Sequence, residues 1–118
     1  MPLTLTEKIA TNYAVDSGGD GPALQGQIIE IRPKHIMTHD NTGAVIPKFK
    51  SIFDGSKAPQ RITNPAQPVF AIDHDIQNKT PENLGKYAKI EKFSRENTID
   101  FYPAGTGISH QVIVEQGY

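Results

Sequence analysis

The chain has 118 residues, 36% of them hydrophobic and 21% charged, and 12 basic against 13 acidic residues leave a net charge of −1. These figures describe one globular domain at most; they exclude collagen-like and low-complexity chains, and near-zero charge without a Lys/Arg block gives no electrostatic footprint for nucleic acid. No window nears the roughly 18 consecutive apolar residues of a membrane helix, the opening MPLTLTEK lacks a signal-peptide core and an Arg-rich transit pattern, and the absence of cysteine excludes disulfides, thiol nucleophiles and thiolate-held metal within these residues.

Ten glycines and nine prolines, spread along the chain, predict short elements joined by short connections. Thr4 followed by Glu7 fits a capping box, and Leu5, Ile9 and Tyr13 share one helical face, so the first element reads as a helix ending by Asp16. Residues 17–22 (SGGDGP) form a loop by composition. The run Gln27 to Ile31, closed by Arg32-Pro33, reads as a strand because the residue before proline favours extended backbone. Between Thr42 and Phe53, the apolar residues Val45, Phe49 and Phe53 have helical spacing despite Pro47. A helix starting near Ala44 would put that proline in its first turn, where its missing N–H costs little.

After a polar loop from Asp54 to Pro59, the run Pro68 to Ile72 reads as a short strand. Thr80-Pro81-Glu82 is a strong helix start, with an N-cap, a proline at the first position and an acid near the positive end of the dipole. In that helix Leu84, Tyr87, Ala88, Ile90 and Phe93 spread over a broad arc, which predicts packing on more than half its circumference. Ile99 to Tyr102 reads as a strand and residues 103–107 as a glycine turn. Ile108 to Gln116 is open: Val112-Ile113-Val114 favours a strand, while its position after a glycine turn favours a helix. The alternation of helices and strands predicts an α/β architecture.

Three of the four histidines lie just beyond runs read as strands: His39 with Asp40 after residues 27–31, His74 between Asp73 and Asp75 after residues 68–72, and His110 after residues 99–102 and the glycine turn. Ligands bind open α/β sheets in the crevice outside the carboxyl ends of strands, so three such loops are candidates for one site. Each also has a plain reading. His39-Asp40 fits an Asx-type turn, Asp73-His74-Asp75 a surface loop or a hard-metal cluster, and His110 a capping residue. Flanking carboxylates raise an imidazole's pKa and orient it, and a helix N-terminus at His110 would favour a bound carboxylate. Gly105-Thr106-Gly107 lacks the Lys or third Gly of the nucleotide loops. His35 has no acidic neighbour and reads as structural or exposed.

Four stretches resemble the superfamily of aconitase and the isopropylmalate dehydratase large chains. Leu5-Thr6-Glu7-Lys8-Ile9 is similar to its opening, His39-Asp40-Asn41-Thr42 to its first active-site loop, Asp73-His74 to its Asp-His pair, and Gly105-Thr106-Gly107-Ile108-Ser109-His110-Gln111 to its Gly-x-Gly-Ile-x-His-Gln motif. They occur in the family's order across almost the whole chain. Residues 13–16, 73–79 and 99–105 look most like the homoaconitase branch, the lysine-pathway enzymes of fungi.

The resemblance implies a partial three-layer aconitase-type α/β domain with short, mostly parallel strands, residues 1–118 being the N-terminal segment of a longer catalytic domain. It implies a [4Fe-4S] hydro-lyase acting on a tricarboxylic acid, here interconverting homocitrate and homoisocitrate through cis-homoaconitate, located in the mitochondrial matrix for a fungal member of that branch and otherwise in the cytoplasm. Another superfamily dehydratase, or a non-catalytic domain that binds carboxylates or a partner, is the alternative. Matched by position, Asp73, His74 and His110 fall on catalytic residues, and His39, Asp40, Thr42 and Ala44 on the substrate-binding loop; none is a metal ligand. The sequence departs from the family in two places. Ala44 stands where aconitase has a substrate-binding glutamine, which argues against citrate as substrate. The family's cluster cysteines, catalytic serine and substrate-binding arginines lie beyond Tyr118. The segment is therefore expected to depend on the remainder of the enzyme chain as its partner, to be inactive alone, and to self-associate through uncovered apolar surface.

Overall fold

In the computed structural model, residues 2–16, 21–57, 59–73 and 77–118 are described. They divide into two units, Met1–Lys34 and His35–Tyr118.

The first unit opens on the capping box. The Thr4 side chain accepts from the Glu7 N–H and the Glu7 carboxylate accepts from the Thr4 N–H, so two donors at the start of helix α1 (Leu5–Tyr13) are satisfied at once. The helix ends three residues earlier than the Asp16 limit and passes directly into strand β1 (Ala14–Asp16). That strand pairs antiparallel with β2 (Glu30–Ile31), with an irregular register between Ala14 and Asp16. Thr11 ties the loop to the helix, its hydroxyl donating to the Glu7 carbonyl and accepting from the N–H of Ala23, a buried residue. The strand expected over residues 27–31 is reduced to two residues, and Ile28 is 99% exposed. An apolar run alone does not make a strand; it needs a partner, and β1 offers only three residues. Leu5, Ile9 and Tyr13 share a face and all three are exposed.

The second unit is built on a parallel sheet of three strands in the order β3 (Ile36–Thr38), β4 (Pro68–Ala71), β5 (Asp100–Tyr102). Parallel neighbours need crossovers, and here these are helices α2 (Thr42–Ser51) and α3 (Pro81–Glu96). The middle strand is covered on both faces, with Val69, Phe70, Ala71 and Ile72 all buried. Phe70, Ile72, Ile90, Phe93 and Ile99 form the core, with Ile46, Phe49 and Phe101 packed against it. Phe93 stacks on Phe70 and meets Phe49 edge-on. A short helix, α4 (Ser109–Glu115), ends the chain. The expected α/β architecture with short, mostly parallel strands is what the elements display.

Helix α3 begins at Thr80 as its sequence predicts, with the hydroxyl accepting from the Asn83 N–H and Pro81 in the first position. It buries a narrower stripe than its apolar residues suggest: Ile90 and Phe93 are buried, but Leu84 is 52% exposed and Ala88 is exposed too. Helix α2 starts at Thr42, two residues before the expected start, so Pro47 is its sixth residue and lies beyond the first turn. The bond lost is the one to the Gly43 carbonyl, near the helix start. At Gly43 helix α2 lies close against α3, since a Cβ there would lie 3.3 Å from Lys86 Cε. The ambiguous last segment is a helix because the Ile108 carbonyl accepts from both Gln111 and Val112, and the glycine turn delivers the chain into that geometry. Tyr118 donates its hydroxyl to Asp100, accepts from Tyr102 and packs at a near-right angle against the His35 ring. Burial, then the Asp100 hydrogen bond, pushes its pKa above the ordinary tyrosine range.

Two outcomes are expected. Ile90→Ala should lower the unfolding free energy of the second unit by roughly 2–5 kcal/mol in chemical denaturation, from lost burial plus the cavity left in the core. The Thr4 N–H, then the Thr4 hydroxyl, holds the Glu7 carboxyl below its ordinary pKa. Its support for α1 is therefore present above the ordinary carboxylate range and is lost as pH falls through the lowered value. Acid titration followed by NMR should show the amides of residues 5–13 losing helical shifts, a change that Glu7→Gln abolishes.

Candidate functional site

The parallel register sets Thr38 of β3 beside Phe70 of β4, and Ala71 of β4 beside Tyr102 of β5. The three strands therefore end at one edge, and the chain leaving each of them carries one of the predicted groups. His39 and Asp40 follow β3 immediately, Asp73 follows β4 after Ile72, and His110 sits on α4 after the turn that leaves β5. The strand preceding His39 is Ile36–Thr38 and not residues 27–31. A run of Ile36 and Met37 between Pro33 and Asp40 was its signal, too short to stand out.

The side chains are tied to one another across the loops. The Asp73 backbone N–H donates to Asp40 Oδ1 at 3.1 Å. Asp73 Oδ2 accepts from the Ser109 N–H and from the Ser109 hydroxyl, each at 2.7 Å. The Ser109 Oγ lies 3.4 Å from His110 Nδ1, and the His110 and His39 rings are 6.0 Å apart. Ser109 is 1% exposed, Asp73, Asp40 and His39 are half-buried, and His110 is exposed. The free N–H at the start of α4, which was expected to receive a ligand carboxylate, receives the carboxylate of Asp73. Short helices begin with unsatisfied donors, and an internal acid satisfies this one.

Local sequence explains how each loop is shaped. Thr42 is fully buried; its hydroxyl shares a hydrogen bond with that of Thr38 at 2.7 Å and donates to the His39 carbonyl, which also accepts the Thr42 N–H at 2.9 Å. These bonds close the turn at residues 39–42. Ala44 follows on α2 and is exposed. On the other side Gly107 has φ 153°, and a Cβ there would meet Val112 Cγ2 at 3.0 Å, so glycine is required for the chain to turn into α4. His74 lies outside the described residues, as does Asp75. Ser109 was not singled out in the sequence; a small hydroxyl residue at the first position of a helix is its only signal.

Within the described residues, one group of side chains has the composition of a metal site: ligand atoms of His39, Asp40 and Asp73 lie within 4.8 Å of one another. Asp73 and Asp40 already accept from backbone and hydroxyl donors, so the carboxylates hold loops in place. An iron–sulfur cluster is a different matter, because it needs thiolates and the chain has no cysteine to offer. No helix among the described residues is long and apolar enough to cross a membrane.

Comparison with known proteins gives one consistent result. The chain is 50% identical over 117 residues to mitochondrial homoaconitase of Cryptococcus neoformans, 55% over 114 residues to that of Mycosarcoma maydis, and 50% over 118 residues to that of Yarrowia lipolytica. These alignments take in 97% to 100% of this chain but only 15% to 16% of each relative. No family model matches the chain. No solved structure matches it either.

Because Asp73 satisfies two donors of Ser109, Asp73→Ala should destabilise the second unit by about 1–3 kcal/mol, the cost of leaving part-buried donors without an acceptor. Asp73→Asn retains an acceptor and should lose less; equal losses in urea denaturation would show that the link contributes no specific hydrogen bonding.

Proposed function

We propose, from this chain's relation along nearly its whole length to a stretch of the homoaconitases, that it is a segment of a hydro-lyase of the aconitase superfamily. Its reaction is the removal and re-addition of water on a tricarboxylic acid, interconverting homocitrate and homoisocitrate through cis-homoaconitate in lysine biosynthesis. The observation that carries the reading is the convergence of His39, Asp40, Asp73 and His110 at one sheet edge, in a chain whose relatives bear the homoaconitase name. Their mitochondrial naming supports the mitochondrial matrix as its location.

In such an enzyme a [4Fe-4S] cluster supplies Lewis-acid chemistry to the substrate hydroxyl. This chain has no thiolate to hold one, so the cluster belongs with other residues, and the roles assigned here do not pass through it. Among the described residues of the site His110 is the exposed imidazole, and it is assigned the proton exchanged with the leaving hydroxyl, the work for which imidazole pKa is suited. His74 is assigned to the same proton-handling group by sequence position. Asp73 and Asp40 hold the loops in register. Thr42 shapes the turn that presents His39, and Ala44 leaves room beside it where a glutamine would contact a shorter substrate. Dehydration is completed by a base and anion-binding groups supplied by the remainder of the enzyme, so the 118 residues alone do not turn over substrate.

The test is a chimera in which residues 1–118 replace the matching stretch of the Mycosarcoma maydis enzyme, with the cluster reconstituted. It should hydrate cis-homoaconitate in preference to cis-aconitate, measured by loss of ultraviolet absorbance. His110→Ala in the same chimera should cut kcat on the order of 10²- to 10⁴-fold. Preference for cis-aconitate, or full activity without His110, would sink the assignment.

A further inference from the structure

We propose that Ser109 is a positioning residue that fixes the tautomer of His110 by linking it to the Asp73 carboxylate. The inference rests on the reading above for its catalytic consequence, but its geometry stands by itself. Ser109 is 1% exposed, and its Oγ is 2.7 Å from Asp73 Oδ2 and 3.4 Å from His110 Nδ1. A hydroxyl has one proton and two lone pairs, whereas an ionised carboxylate only accepts. The hydroxyl proton therefore goes to Asp73. Toward His110 the same oxygen can act only as an acceptor, and its partner at Nδ1 must carry the proton. Nε2 is then the unprotonated nitrogen of the neutral ring, available to take or return a substrate proton.

The arrangement resists simple alternatives. Ser109 receives Asp73 twice, through its backbone N–H and its hydroxyl, so the hydroxyl is held in one rotamer by the same carboxylate that anchors the helix. Because the N–H bond to Asp73 persists when the hydroxyl is removed, Ser109→Ala separates orientation of the imidazole from anchorage of α4. Fixing which ring nitrogen is protonated through the hydrogen bond made by the other is the usual way a protein commits a histidine to one role. Here the acid and the imidazole are joined through a serine and need not touch.

Two measurements test this. In the 118-residue chain, nitrogen-15 NMR at a pH where the imidazole is neutral should show His110 protonated mainly at Nδ1. Ser109→Ala should move that balance toward Nε2 while leaving the His35 signals in place; an unchanged His110 spectrum would overturn the proposal. In the active chimera, Ser109→Ala should lower kcat roughly ten- to a hundredfold with KM within about twofold, the signature of lost alignment and not of lost substrate binding. Val112→Ala, which removes buried packing from the same helix without touching the hydroxyl, is the structural control. Equal loss of kcat in both variants, or no loss in Ser109→Ala, would overturn the positioning role. If the parent chimera is inactive the hydro-lyase reading fails, and the NMR comparison still decides whether Ser109 sets the tautomer.

Discussion

The carboxylate of Asp73 is the constraint on which the geometry at this sheet edge depends. It leaves the end of the middle strand and closes on the first turn of α4, accepting from both the backbone and the hydroxyl of Ser109. A seven-residue helix has too few internal bonds to hold its own position, since nucleation is costly and most helical stability comes from tertiary contact. Val112 supplies some of that contact by burial. The charged acceptor supplies direction as well, because charge-assisted hydrogen bonds are short and angularly demanding. With α4 fixed in this way, His110 is placed relative to β4 by one residue of separation from the anchor. The backbone N–H of Asp73 is in turn held by Asp40, so the loop after β3 enters the same network.

Why that network forms at one end follows from sheet topology. Parallel strands present their carboxyl ends together, and the crossover helices carry the chain back each time to begin the next strand at the opposite end. A core of Phe70, Ile72, Ile90, Phe93 and Ile99 fixes β4 against α3, and close approach at Gly43 sets α2 beside it. The strands are three or four residues long, so the loops carry much of the chain near the edge. Their shape is set by small, specific devices: the Thr38–Thr42 hydroxyl pair, the His39 carbonyl receiving two donors, and the glycine at 107 whose place no larger residue can take. The rigid part of the unit is apolar and central, and the polar detail lies where the strands stop.

Elements marked by chemistry local in sequence were legible there. The Thr4–Glu7 capping box and the Thr80-Pro81 start both depend on residues within three positions, and both helices begin where those residues put them. Strands were legible only where apolar residues clustered, as in residues 68–72. Strand β3 escaped because it offers only two adjacent apolar residues, Ile36 and Met37, and residues 27–31 misled because pairing, which decides a strand, depends on distant chain. Pro47 suggested a helix start that the structure places earlier, since the loss of one bond near the start is tolerable. The gathering of His39, Asp40, Asp73 and His110 followed from a topological rule, but the hydrogen bonds that join them did not. Ser109 is the clearest example: nothing in its neighbours distinguishes it from any serine at a helix start until the fold brings Asp73 to it.

On the proposed reading, the same bonds also divide the labour of the site. A carboxylate that accepts two hydrogen bonds from its own protein is held in its charged form, with its charge directed at the helix it anchors. The described residues at this edge thus offer imidazoles and fixed geometry and few groups that attract carboxylates, which accords with a chain of net charge −1. A tricarboxylic substrate needs several cationic or N–H donors to be held, and those must come from outside these residues. What this segment contributes is orientation: a histidine with a defined proton at a defined end of a sheet, effective only when a substrate is bound against it by others.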